Sequence, residues 1–423
     1  MDVWLPYGKT EVCVRIPARN LLGVISPKEM AGAPNPTAEI EKALHEPIGT
    51  PRLSEIAKPG DRVAIVVDDK TRAAPSHLMV PPILRELERA GVREEDVTII
   101  FACGGHDVVT REEMGRLVGE EIIRRVNAIS HDCRAEDQVY LGTTRFGTPV
   151  YVNRTFAEAD VKILTGDVEL HYFAGYGGGR KSVLPGVSAK ETIERNHRMI
   201  LQPNARAGVL EGNPIHEDMM EAAKLAGVDF ILNVVMNSRR EVVRAFAGDL
   251  EKAFYEGVRL VDEMYKVPIH RRADIVVVSA GGYPFDINLY QAYKGIDAAL
   301  NAVKRNGIII LTAECPEGYG NQTFYEWMSR FKGVKELERQ IKRKLTMGGH
   351  KAYFLRRALK RATIYLVSVM PDYYAVNVFG FRTAKAVNDA FNEALNQAGR
   401  NAKVWVIPHG HSTLPVLTPT SSG

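Results

Sequence analysis

The stretch "RVAIVVDDKTRAAPSHLMVPPILRELERAGVREEDVTIIFACGGHD" (Arg62–Asp107) decides the fold. It opens on a nearly continuous β-branched run, the pattern of a strand buried on both faces. A helical pattern follows over 77–92 and stops on a glycine, as helices commonly do. A second apolar run over 96–105 restarts the strand pattern. Strand, helix, strand at this spacing is the unit of a parallel sheet flanked by helices.

The same punctuation recurs along the chain. Further buried-strand patterns lie at 160–167, 229–237, 273–282, 307–314, 363–370 and 403–410. A helix is expected over 110–125, where Thr110 and Glu113 stand at capping-box spacing. The sequence therefore predicts an α/β protein of two domains, with mainly parallel sheets flanked by helices. The expected active site is the interdomain cleft, facing the strand C-termini. "YKVPIHRRAD" (265–274) is the clearest boundary. It implies an N-terminal domain over 1–268, a C-terminal domain over 269–410 and an irregular tail over 411–423.

Bulk composition narrows the class. The 423 residues carry a net charge of +4 with both signs interspersed, too mild for nucleic acid as a main partner. Cys13, Cys103, Cys133 and Cys315 match no CxxC pattern and are expected as reduced thiols. There is no signal-peptide pattern and no apolar run long enough for a membrane span, so a cytoplasmic protein is expected.

Ionisable residues collect after the first-domain strands. Asp68, Asp69, Lys70, Thr71 and Arg72 follow the first, His106 and Asp107 the second, and Asp167, Glu169 and His171 the third. A lone histidine at a strand end is commonly structural. Two histidines and an arginine after consecutive strands point to a shared active site. The third strand leads into "HYFAGYGGGRKSVLPG" (His171–Gly186). Arg180 separates Gly179 from Lys181, so the stretch is not a Walker-type loop, which needs Gly directly before Lys. Glycines 175, 177, 178 and 179 would still allow close backbone approach, and with Arg180 could hold a phosphate. The plain alternative is a flexible turn. Lys181, beside Arg180 in a semi-buried setting, would have its ammonium form disfavoured and its amine available as a nucleophile. His197, near the end of an expected helix, could be core, cap or ligand.

With "DDKTR", "GGH", "HYFAGYGGGRKSVLPG", "ERNH", "YQAYK" and "GGHKAYF" in hand, the chain resembles the nickel-dependent lactate racemase family and its related 2-hydroxyacid racemases and epimerases. The resemblance implies a nickel-pincer nucleotide, a pyridinium mononucleotide with two thiocarboxyl groups, tethered as a thioamide through Lys181. It implies His197 as nickel ligand and His106 and His171 as the two acid/bases. Arg180, Gly177, Gly178 and Gly179 would lie near the cofactor phosphate, with Asp69 and Thr71 also beside the cofactor and Asp69 orienting a neighbour. Arg72, Lys294, Gln291 and Tyr290 would bind the substrate, the last three on one face of a helix in the second domain. Cofactor-biosynthesis proteins are the implied maturation partners, and no membrane or nucleic-acid partner is expected.

Such a cofactor suits the chemistry. A carboxylate stabilises an α-carbanion poorly, and moving a hydride avoids one. A neutral imidazole is then needed at each hydroxyl position. The sequence departs from the family at "HDVVTREE", where Asp107 stands in place of an Arg-Pro-like continuation. This leaves lactate, malate, aryl-lactates, longer aliphatic acids and aldonic acids open. The alternatives are a zinc hydrolase or lyase using His106, His171 and His197, which lacks a short H-x-x-x-H spacing, and a non-catalytic nucleotide binder.

Overall fold

The computed structural model describes residues 1–344, 346 and 348–418. It divides into two compact units, Glu29–Met264 and Met1–Lys28 with Tyr265–Gly423. Each of the eight expected strands is present. Among the described residues, no helix is long and apolar enough to cross a membrane, and the four cysteines are free.

The unit Glu29–Met264 is built on a six-stranded sheet. In spatial order its strands are Val242–Gly248, Phe230–Met236, Val161–Asp167, Val63–Asp68, Val97–Ala102 and Asn127–Ser130. The first pair is antiparallel and the other neighbours are parallel. Helices Pro36–His45 and Ser76–Arg89 cover the sheet through a core that includes Ile40, Leu44, Ile65, Ile83, Ile99 and Phe230. The register pairs Asp68 with Ala102, so Asp69 and the Cys103–His106 loop leave the same edge of the sheet.

The second unit holds an all-parallel six-stranded sheet. Its order is Arg382–Thr383, Ala362–Val367, Val303–Thr312, Ala273–Ser279, Val404–Ile407 and Leu21–Val24. The helix Leu289–Ala302 follows its Ala273–Ser279 strand and is capped by Asn288, whose side chain accepts the Gln291 N–H.

Three boundaries differ from expectation. The first 28 residues belong with the second unit, because Leu21–Val24 pairs with Val404–Ile407 and Leu5, Val14 and Ile16 enter its core. The 110–125 helix is two helices, Arg111–Val118 and Glu120–Arg125; the Thr110–Glu113 capping box forms, but Gly119 at φ 106° breaks the helical path. The tail is not irregular throughout: Leu414–Leu417 is a strand paired with Lys266–Ile269. Residues 419–423 of that expected tail lie outside the described residues.

Candidate active site

In the unit Glu29–Met264, the ends of adjacent strands place His106, Asp69 and Thr71 in contact. Asp69 is buried, and its Oδ2 lies 2.7 Å from His106 Nδ1. Its Oδ1 accepts the Thr71 hydroxyl at 2.6 Å and the Thr71 N–H at 2.9 Å. Burial alone would raise the Asp69 pKa, but the bonds from His106 and Thr71 outweigh it and hold it below the usual value. A carboxylate can only accept, so His106 carries its proton on Nδ1 and presents the Nε2 lone pair. Asp69 and Thr71 thus form one hydrogen-bonded group with His106.

His171 is met differently. It is 8% exposed, and its Nδ1 accepts the Ala174 N–H at 3.3 Å. That partner can only donate, so the neutral ring keeps its proton on Nε2. Burial first, then the charges of Lys181, Arg72, His197 and Arg180, hold its pKa well below the ordinary histidine value. Phe173 meets His171 edge-on at 4.4 Å between ring centres, and meets His197 at 5.1 Å. His197, in the helix Lys190–His197, is pushed down to about 3 by burial and then by Lys181, with the Ile193 carbonyl opposing. Its Nδ1 is buried without a well-formed hydrogen bond.

Lys181 sits in a one-turn helix, Gly179–Ser182, where the Ser182 hydroxyl binds Thr165 O at 3.0 Å. Burial, then Arg72 and Arg180, hold its pKa well below the lysine value, so the ammonium form is disfavoured. The Gly104 N–H donates to Gly186 O at 2.9 Å, joining the His106 loop to the end of this turn. Around Arg72, Glu169 lies 3.9 Å away. Burial disfavours the Arg72 charge, but Glu169, Asp68 and Asp167 outweigh it. Asp68 in turn is raised to about 6 by burial, and Asp167 well above its usual value.

Arg180 and the glycines do not form the expected phosphate cradle. Arg180 is fully buried; its guanidinium donates to Gly178 O at 3.0 Å and Ala174 O at 2.9 Å and lies 4.5 Å from the Phe254 ring centre. The Gly177 N–H goes to Glu169 O at 2.8 Å and the Gly179 N–H to Asn233 Oδ1 at 2.9 Å. A Cβ on Gly178 would meet Asp167 O at 2.9 Å, and one on Gly179 would meet Phe254 at 3.0 Å. The protein's own packing already requires glycine at 178 and 179. Asn233, fully buried, is a site residue the motif reading missed. The signal was one polar residue inside the apolar run "DFILNVVMN".

In the other unit, Tyr290, Gln291 and Lys294 fall on one half-buried stripe of the Leu289–Ala302 helix, as expected. The zinc reading is not met. Among the described residues no three His, Cys, Asp or Glu side chains come together to hold a metal. His106 is turned to Asp69, and the Phe173 ring packs against both His171 and His197. A cavity of about 730 Å³ lies elsewhere, lined by Arg145, His216, Glu221 and Tyr255 among others. It includes none of the expected site residues.

Comparison with known proteins accounts for this arrangement. Residues 7–208 match the lactate racemase N-terminal domain and residues 269–414 the lactate racemase C-terminal domain. The lactate racemase of Thermoanaerobacterium thermosaccharolyticum is 36% identical over 98% of this chain and 99% of its own. The chain belongs to the lactate racemase family. It is accordingly an enzyme of the racemase class. The lactate racemase of Lactiplantibacillus plantarum is 35% identical over 96% of this chain and 97% of its own. The lactate racemase apoprotein structure from T. thermosaccharolyticum superposes with a TM-score of 0.89, covering 98% of this chain and all of that one. A Thermotoga maritima protein shares the fold at a TM-score of 0.65 and 19% identity, over 92% of this chain.

Proposed function

We propose that the protein racemises a 2-hydroxy acid, lactate or a close relative, with a nickel-pincer nucleotide held by Lys181 and His197. The observation that carries this reading is a buried Lys181 whose ammonium form is disfavoured, close to a His197 ring held uncharged by burial. A buried amine kept uncharged is available to bond a carbonyl-type carbon. An uncharged imidazole offers a nitrogen lone pair to a metal with tetragonal preference. When bound, the group would supply the hydride acceptor.

The chain's own residues would do the rest. Arg72 holds the carboxylate, and Tyr290, Gln291 and Lys294 are assigned to substrate binding. His106 takes the hydroxyl proton at Nε2, its ring held by Asp69. His171 offers a proton from Nε2 to the oxygen of the opposite enantiomer. A proton given there must be matched by one taken from solvent at Nδ1, while His106 releases to solvent the proton it took, so the Ala174 contact has to open during each cycle. Maturation would depend on the proteins that make the cofactor.

The test is the optical rotation of single-enantiomer lactate over time. Protein co-produced with the cofactor pathway should bring it to zero, and protein from a host lacking that pathway should not. Activity from the second preparation would contradict the reading, as would inertness of the first toward a panel of chiral 2-hydroxy acids.

A further inference from the structure

Lys351 lies in the first turn of the helix Gly349–Arg361 and is 3% exposed. Several effects oppose a cation there. Burial strips its water, the helix N-terminus carries partial positive charge, and Lys294 is close enough for its charge to act on it. Burial and then Lys294 bring its pKa down to about 7, with Asp297 pulling the other way. A well-packed apolar side chain would avoid these costs.

What Lys351 gains includes contacts to one segment of a neighbouring helix. Its Nζ donates to the Tyr290 carbonyl at 3.0 Å. The same ammonium lies 4.9 Å from the ring centres of both Tyr290 and Tyr293, within cation–π range. In the Leu289–Ala302 helix, the Tyr290 carbonyl is also the one helical geometry assigns to the Lys294 N–H. One carbonyl oxygen therefore joins the buried ammonium to the main chain of Lys294, and one cation clamps two rings of the same helical segment.

We propose that Lys351 is a positioning residue for substrate binding, fixing Tyr290 and the Lys294 backbone so that the Tyr290–Gln291–Lys294 stripe is ordered before substrate arrives. This rests on the reading that those three residues meet the substrate. Truncating Lys351 then costs binding and leaves the chemical step largely intact, since the reacting groups lie on other elements.

The experiment is steady-state racemisation by the cofactor-loaded enzyme with Lys351→Met and Lys351→Arg, alone and combined with Lys294→Met. Lys351→Met should raise KM for lactate about tenfold with kcat changed less than about threefold. Lys351→Arg, which keeps a cation for the rings and a donor for the carbonyl, should recover most of that loss. The KM effects of Lys351→Met and Lys294→Met should be less than additive. Near-UV circular dichroism establishes that each variant is folded. If Lys351→Met does not fold, the arginine variant decides: KM within about threefold of wild type supports the proposal, and a larger rise overturns it. In folded Lys351→Met, an unchanged KM or a fall confined to kcat overturns it, as does strict additivity with Lys294→Met. A wild-type enzyme that racemises nothing would instead overturn the functional reading and the inference with it.

Discussion

His106 and His171 leave adjacent regions of one unit, yet their surroundings commit opposite ring nitrogens. His106 is half-buried and donates Nδ1–H to a carboxylate, so its free nitrogen accepts. His171 is buried and takes a backbone N–H on Nδ1, so its free nitrogen donates. The difference means that the two histidines are not interchangeable in their present surroundings. One ring is oriented by a carboxylate that accepts from Nδ1, the other by a backbone amide that donates to it.

The largest expected effects test whether both rings move protons. His106→Ala and His171→Ala should each lower kcat by about 10³-fold with bound nickel unchanged. Loss of nickel in either variant would make that ring a ligand and end the comparison. Asp69→Asn should cost about 10²-fold through His106 alone, because an amide can present a donor and release the wrong tautomer. An Asp69→Asn enzyme with wild-type kcat would mean that the 2.7 Å contact does not set the tautomer.

Smaller effects appear in stability. Lys181→Met should stabilise the cofactor-free protein by about 1–3 kcal/mol, raising Tm by a few degrees, since a buried amine is replaced by an apolar chain. A lower Tm would show that Lys181 has a structural partner. Acidification should weaken the fold. His197, His216 and His411 are each held down to about 3 by burial in the folded state. Below an unfolded pKa of about 6.5 the unfolded chain takes up protons that the fold refuses. Stability is therefore full above that pH and declines toward pH 3, by at most about 1.4 kcal/mol per pH unit for each ring. Asp68, raised to about 6, acts the other way, since its contribution falls as pH rises from 3.8 to about 6, and it offsets part of the slope. Proton release on unfolding at pH 6, read by calorimetry in buffers of different ionisation enthalpy, would contradict the sign.

Much of this was legible before the fold was seen. Continuous apolar runs marked the eight strands because a sheet covered on both faces leaves no alternation. Polar residues directly after them marked Asp69, His106 and His171. The glycine turn is where sequence is weakest. Glycine signals close approach without naming what approaches, and at Gly178 and Gly179 the neighbours are Asp167 O and Phe254. Arg180 is illegible for a related reason, because a motif does not show that its guanidinium donates to the Gly178 and Ala174 carbonyls. Lys351 stands in the quoted stretch "GGHKAYF", but its contact was not legible, since its partner Tyr290 is distant in sequence and contributes its backbone oxygen.

The central claim is that Lys181 carries the cofactor. It is tested most directly by intact mass with metal analysis, on protein co-produced with the cofactor pathway. The account predicts an adduct of several hundred daltons, mapped to the Lys181 peptide, with about one nickel per chain, and neither adduct nor activity in Lys181→Met. A Lys181→Met protein that kept both nickel and racemisation would contradict it.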